Sequence, residues 1–187
     1  MCIISIHQPN FFPHKPFFDK VEQSDKFIVL TSAQWEKGGY QNRFQLNGKW
    51  HTMSVNKGLD SIQKKTYVSP QKDWNKIKKN LPQYINILED LEQYIGDSLM
   101  NVNMLIIGNL SMRLDIRTAF YSDFGITGTG TERLVNICKE HGATKYLSGV
   151  SGKNYMDLSL FDKAGIEVIF QEPSPSKPIL EVLYERK

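Results

Sequence analysis

Residues 1–34 constrain the chain more than any other stretch. Cys2-Ile3-Ile4-Ser5-Ile6 is a short, apolar, β-branched run suited to a buried strand, and it stops at His7-Gln8-Pro9-Asn10, where polar chemistry begins. Beyond Phe11-Phe12-Pro13-His14, the segment 15–22 places Phe17, Phe18 and Val21 at helical spacing. Phe27-Ile28-Val29-Leu30 then reads as a second buried strand, ending at Thr31-Ser32-Ala33-Gln34. A strand, a helical crossover and a strand build parallel sheets, and ligands of open parallel sheets bind outside the carboxyl ends of the strands. His7, Gln8, Asn10, Ser32 and Gln34 are therefore expected along one rim.

A chain of 187 residues is long enough for one domain with a proper core, and its 40% hydrophobic and 23% charged residues are ordinary globular composition. The expectation is a single α/β domain over 1–187, with a helical insertion at about 70–115. A net charge of +3 is too small to call for nucleic acid. It is uneven, with seven lysines between Lys57 and Lys79 against Asp60 and Asp73. Such an excess could meet an anionic substrate, although a solvated basic helix face is the favoured reading. Cys2 and Cys138 are the only cysteines and lie in a strand start and an apolar helical pattern, which supports neither a disulfide framework nor a zinc site. The opening residues lack the basic region, apolar stretch and small-residue cleavage site of a secretory signal. No apolar run reaches the ~18 residues of a membrane span, because 99–116 is broken by Asn101, Asn103, Gly108, Asn109, Ser111, Arg113 and Asp115. A cytoplasmic protein without a membrane span is expected.

Further along, Tyr40 to Leu46 runs into Asn47-Gly48, the favoured pair for a type I′ hairpin turn, and 49–55 alternates as the returning strand. Ser69-Pro70 opens a helix carrying Trp74, Ile77 and Leu81, with Pro82 as a break. Segment 83–96 has an apolar stripe of Tyr84, Ile87, Leu88, Leu91 and Ile95 before Gly96. A long helix follows from Leu99 to about Leu114, apolar on several faces and therefore central. After a strand at 117–122 and the Gly- and Thr-rich loop 125–130, Thr131 and Glu132 open a helix that ends near His141-Gly142. Lys145-Tyr146-Leu147-Ser148 is a short strand, 157–164 a small helix, 166–170 the last strand, and Ile179 to Tyr184 a final helical turn or two. The alternation implies a mainly parallel, Rossmann-like sheet flanked by helices, with a β-hairpin and a helical insertion.

Three clusters carry the candidate chemistry: His7-Gln8-Pro9-Asn10, Gln34 with Gln41-Asn42-Arg43, and Ser148 to Lys153. At a strand end His7 can act as general base, proton donor or hydrogen-bond donor near neutral pH, or simply bond a loop carbonyl. Arg43 is the anchor best suited to a carboxylate or phosphate, since its guanidinium grips either bidentately; alone on a surface it would mean little. Gly149-Val150-Ser151-Gly152-Lys153 resembles half of a phosphate-binding loop, although a tight strand-to-helix turn built for geometry has equal weight. It is no Walker A loop, because two residues separate the glycines and Asn154 follows the lysine. His14, His51 and His141 lack ligand spacing, so no metal site is expected, and no Gly-x-Ser-x-Gly elbow points to a Ser-His-Asp triad.

Read together, Ile6-His7-Gln8-Pro9-Asn10-Phe11-Phe12-Pro13, Phe17-Phe18-Asp19-Lys20, Ser24-Asp25, Phe27-Ile28-Val29-Leu30, Gln34, Gln41-Asn42-Arg43 and Glu132-Arg133-Leu134 resemble the WbqC-like proteins. So do Ile137-Cys138-Lys139, Gly142-Ala143, Tyr146-Leu147-Ser148-Gly149, Gly152-Lys153, Tyr155, Phe161 and Gly165-Ile166, and the likeness runs from Ile3 to about Phe170. The resemblance implies a role in bacterial surface-polysaccharide synthesis of the O-antigen type, with glycine transfer as the suggested reaction. Two departures stand out. His14-Lys15-Pro16 replaces the family's usual tryptophan and small loop residue, and the C-terminal portion is compressed into 176–187. More faintly, Gln8-Pro9, His14, 25–30 and Ser32-Ala33-Gln34 resemble the opening of nucleotidyltransferases of the HxGH class, without the paired histidines around a glycine.

The leading expectation is a transferase acting on a small anionic substrate, a sugar nucleotide or an activated amino acid, with a nucleotide or sugar nucleotide as donor. His7 would manage the proton. Arg43 and Lys153 would hold anionic groups, and Gln8, Asn10, Gln34, Gln41, Asn42, Ser148, Gly149, Ser151, Gly152 and Tyr155 would shape and orient the substrate. The alternatives are a nucleotidyl or adenylyl transferase using the same rim, and a non-catalytic scaffold of a glycan-assembly complex.

Overall fold

The computed structural model describes residues 1–186. In chain order the strands are β1 (Ile3–His7), β2 (Lys26–Val29), β3 (Arg43–Leu46), β4 (Lys49–Thr52), β5 (Ala119–Ser122), β6 (Lys145–Ser148) and β7 (Glu167–Phe170). The helices are α1 (Lys15–Glu22), α2 (Pro70–Asn80), α3 (Ile85–Glu92), α4 (Leu99–Arg113), α5 (Gly130–Glu140), α6 (Leu158–Lys163) and α7 (Ile179–Glu185). They group into two compact units. A sheet unit comprises Met1–His7, Pro16–Leu30 and Ile116–Pro175; a helical unit comprises Gln8–Lys15, Thr31–Asp115 and the residues from Ser176 on.

The sheet unit is a five-stranded parallel sheet in the order β5-β2-β1-β6-β7. The short β-branched runs read from the sequence form its strands, because residues covered on both faces must be apolar nearly throughout. Ile4, Ile6 and Ile28 point to one face, where they pack with Val135, Ile137 and Cys138 of α5, Tyr146 and Phe161 of α6. The alternate residues His7 and Phe27 meet α1 on the other face, where the Phe17 ring lies 5.1 Å from Phe27 and 5.1 Å from His7, and Ser5 accepts the hydroxyl of Ser24 just beyond that helix. Burial of these aromatic and aliphatic side chains stabilises the layer by roughly 1.5–3 kcal/mol each.

In the helical unit β3 and β4 form the expected hairpin, and Asn47 and Gly48 take φ of 52° and 70°, the left-handed pair a type I′ turn requires. Pro70 sits in the first turn of α2, where its missing N–H costs nothing. Phe11, Phe12, Phe44 and Trp74 are fully buried, with Phe12 4.8 Å from Phe44 and 6.1 Å from Trp74. The helix expected over 83–96 is shorter. Pro82 begins a separate 3-10 turn, Pro82–Tyr84, and the Tyr94 and Ile95 amides donate three residues back, to Leu91 and Glu92, which tightens the end. Helix α4 buries Leu99, Val102, Asn103, Ile106, Ile107, Leu110 and Ser111, the broad arc its apolar sequence implied. The lysine-rich segment is less uniformly solvated than expected. Lys65 is wholly buried, donating to the Asn56 and Gly58 carbonyls over the Trp35 ring, and Lys78 pairs with Glu92. Among the described residues no helix is long and apolar enough to cross a membrane.

Candidate functional site

The strand order of the sheet unit reverses between β1 and β6. From β1 the chain steps outward through β2 to β5, whereas β6 lies on the other side of β1 and leads outward to β7. A reversal of this kind opens a crevice at the carboxyl ends of the two central strands. The register shows it directly. β1 stays paired with β2 as far as His7 opposite Val29, but its ladder with β6 consists of Ile3 opposite Lys145 and Ile4 opposite Tyr146. Beyond that point side chains occupy the carbonyls that a continuous ladder would have used. Ser5 Oγ donates to the Leu147 carbonyl at 3.1 Å, and Lys20 Nζ donates to the Ile6 carbonyl at 3.3 Å. Ser24 Oγ, 2.6 Å from Ser5 Oγ and 2.7 Å from the Lys20 carbonyl, ties strand and helix together beneath them.

His7 ends β1 half-buried, with its ring edge-on to Phe17, and its carbonyl accepts the Leu30 amide at 2.9 Å. Ser148 ends β6, is 1% exposed, and donates its hydroxyl to the Gly149 carbonyl at 3.1 Å. The chain then folds back in the 3-10 turn Val150–Asn154. Gly152 is tightly packed in that turn: a Cβ there would stand 2.1 Å from Ser148 Oγ and 2.9 Å from Met156 Cε, so both side chains would have to move. Ser151, Lys153 and Tyr155 are exposed around it, and Lys153 Nζ lies 4.8 Å from the centroid of Phe170, which ends β7. His7 and the residues Ser148, Gly149, Ser151, Gly152, Lys153 and Tyr155 thus belong to the carboxyl ends of neighbouring strands.

Lys20 did not stand out in the sequence. It lies one position from Val21 on a short amphipathic helix, where lysine ordinarily faces water. Here it is 3% exposed, 5.8 Å above the Phe27 ring, and burial pushes its amine down to about 8. Its contacts are the Ile6 carbonyl and that ring, and among the described residues no carboxylate pairs with it. A buried ammonium without a counter-charge is costly, so the group is either kept for a purpose or partly neutral.

The remaining candidates belong to the helical unit, and the unit boundary falls between His7 and Gln8. Gln41 Nε2 donates to Gln8 Oε1, while Gln41 Oε1 is buried without a partner. Asn42 is buried and donates to the Met53 carbonyl at 2.8 Å. The amide of Asn10 donates to the Gln8 carbonyl at 3.0 Å, and Gln34 bridges Ser61. Arg43 is engaged structurally: its guanidinium donates to the Gly38 and Gly39 carbonyls and lies 4.1 Å from the Trp50 ring centroid. Asn103 organises this group. It is fully buried in α4, donates to the Pro9 and Gln41 carbonyls at 2.7 Å each, and accepts the Tyr67 hydroxyl at 2.8 Å. Asn101, Asn109 and Ser111 also interrupt α4, so the signal that could have marked Asn103 was its helical spacing from Leu99, Ile106, Ile107 and Leu110 rather than its polarity. Phe12, at φ 48° in the same loop, is a bulky residue in the left-handed region, a conformation kept only where packing over-determines it.

A cavity of about 680 Å³ lies elsewhere in the sheet unit, lined by Ser122 and Phe124 through Thr127 after β5 and by Asn136, Lys139, Glu140 and His141 of α5 and its end. No sequence-identified site residue lines it. Among the described residues no three His, Cys, Asp or Glu side chains gather as a cation site.

The profile of the WbqC-like protein family matches residues 8–179. An uncharacterized protein of Mycobacterium tuberculosis is 27% identical over 184 residues, covering 88% of this chain and 80% of the relative. No solved structure matches.

Proposed function

The chain belongs to the WbqC-like protein family, and we propose that it is a transferase whose nucleotide-activated donor binds at the carboxyl ends of β1 and β6. The observation that carries this reading is the reversal of strand order between those strands, where the ladder opens after Ile4. The donor would be a sugar nucleotide or an activated amino acid, and the setting implied by the family resemblance is surface-polysaccharide assembly. His7 would take the proton from the attacking hydroxyl or amine of the acceptor as the bond to the transferred group forms and the donor's leaving group departs. Lys153 and the turn that begins at Gly149 would hold the donor's phosphates.

A nucleotidyl or adenylyl transferase is the second reading, favoured by the same rim and by the strand order, which suits a nucleoside triphosphate equally well. Thermal unfolding against sugar nucleotides, nucleoside triphosphates and amino acids separates the possibilities. A ligand present at about 100 times its Kd should stabilise the protein by about 2.7 kcal/mol. Magnesium-dependent pyrophosphate release would select nucleotidyl transfer, and no shift with any of these compounds would favour a scaffold. Undiminished turnover by His7→Ala would remove His7 from the mechanism.

A further inference from the structure

We propose that Lys20 is the cation that receives a phosphoryl group in the gap between β1 and β6, and that its ammonium rests on the Ile6 carbonyl until that group arrives. The inference rests on the switch-point reading above and deepens it by naming the contact. Three observations converge on it. The β1–β6 ladder ends at Ile4 opposite Tyr146, so the Ile6 carbonyl lies on the opened stretch of β1, one residue before His7. Lys20 Nζ reaches that carbonyl at 3.3 Å from the α1 side, which puts a formal positive charge beside the stretch where the β1–β6 pairing has stopped. That charge is 3% exposed, and its partners are a carbonyl and an aromatic face rather than a carboxylate. A lysine needed only to fill the space above Phe27 would be replaceable by an apolar side chain at no loss of solvation. An ammonium kept dry and unneutralised is the arrangement that an incoming anion completes, because attraction is strong where water is excluded.

Titration supplies the diagnostic. The titratable groups on the elements packed around Lys20 are His7 on β1, Lys26 on β2, and Lys15, Asp19 and Glu22 on α1 itself; the lowering of the Lys20 amine to about 8 has burial as its cause. A bound phosphoryl group favours the ammonium, so binding above that pH takes up a proton, and affinity must fall as the solution becomes more alkaline.

The test is calorimetric titration of the full chain with UDP and with inorganic phosphate between about pH 8 and about pH 10; the pH dependence is read from phosphate, whose charge is nearly constant there, because the uracil ring of UDP itself loses a proton within that range. The expected result for the wild type is binding that weakens by up to about tenfold per pH unit across this range. Lys20→Met should bind at least about tenfold more weakly at the lower pH and lose the pH dependence. Lys20→Arg should bind throughout and stay flat, since a guanidinium does not titrate there; it also carries the test if the methionine variant fails to fold. Wild-type affinity in Lys20→Met, an unchanged pH slope in Lys20→Arg, or no binding of either anion by the wild type would overturn the inference. UDP binding that is indifferent to Lys20 would leave the switch-point reading standing without it. Lys20-dependent binding of phosphate but not of UDP would uphold the cation and remove the nucleotide.

Discussion

At Gly152 the chain passes so close to Ser148 that one added methyl group would force the Ser148 and Met156 side chains to shift. Gly152→Ala should cost about 1–3 kcal/mol through overpacking against Ser148 Oγ and Met156, and should weaken ligand binding at the rim. Ser148→Ala removes the nearer obstacle and should restore part of that stability; equilibrium denaturation of the two single variants and the double variant reads the coupling. Asn103 poses the opposite problem, a buried amide whose partners are two backbone carbonyls and the buried Tyr67 hydroxyl. Asn103→Ala strands two carbonyls and the Tyr67 hydroxyl, and a loss of about 3 kcal/mol is expected by urea unfolding. Lys20 should behave unlike either. Its amine titrates near 8 in the folded chain but near its ordinary 10.5 when unfolded, so below 8 both states are charged and folding bears the full burial cost. Between the two values only the unfolded state holds the proton, and stability rises with pH. Lys20→Met should therefore be more stable than the wild type at neutral pH, by up to about 3 kcal/mol, with the advantage shrinking as pH climbs through that window. Thermal unfolding of both proteins against pH measures it.

Among the elements, the hairpin shows how much of the sequence reading followed from local chemistry. Asn47-Gly48 dictates its turn and the alternation of Trp50, His51 and Thr52 its faces, so it could be read without knowing anything distant. His51, on the buried face, lies stacked 5.1 Å from Phe44; burial and the Lys49 charge hold its pKa below the usual 6.5. The unfolded state thus binds a proton first as pH falls, and stability contributed by neutral His51 is lost from about pH 6.5 downward through the folded value. His51→Phe should flatten that acid limb of the stability profile while leaving the neutral range little changed. The strands were legible for the same local reason, each being a short β-branched or aromatic run. Their order was not, because β2 finds β5 some ninety residues later and the ladder between β1 and β6 gives way part-way along. Where a ladder stops is a tertiary fact that no periodicity records.

For the molecule as a whole, a parallel sheet with helices on its faces followed from the alternation of strands and helices, and residues 31–115 leave the sheet unit and return to it as β5. The candidate site was legible in part. His7 and the Ser148–Lys153 turn could be chosen because strand ends in such sheets carry the chemistry, and the structure sets them on adjacent strands. Lys20 could not, since nothing in Phe17-Phe18-Asp19-Lys20-Val21 distinguishes a lysine that faces water from one drawn in against the central strands. Arg43 was chosen for its guanidinium, two of whose nitrogens donate to the carbonyls of its own loop. The account depends on a donor seated at the point where strand order turns over. Its most direct test is a nuclear magnetic resonance titration of backbone amides with UDP-linked sugars and nucleoside triphosphates. Shifts that saturate together at His7, Gly149, Ser151, Gly152 and Lys153 are the predicted result; saturable binding that leaves those amides still and moves others would contradict it.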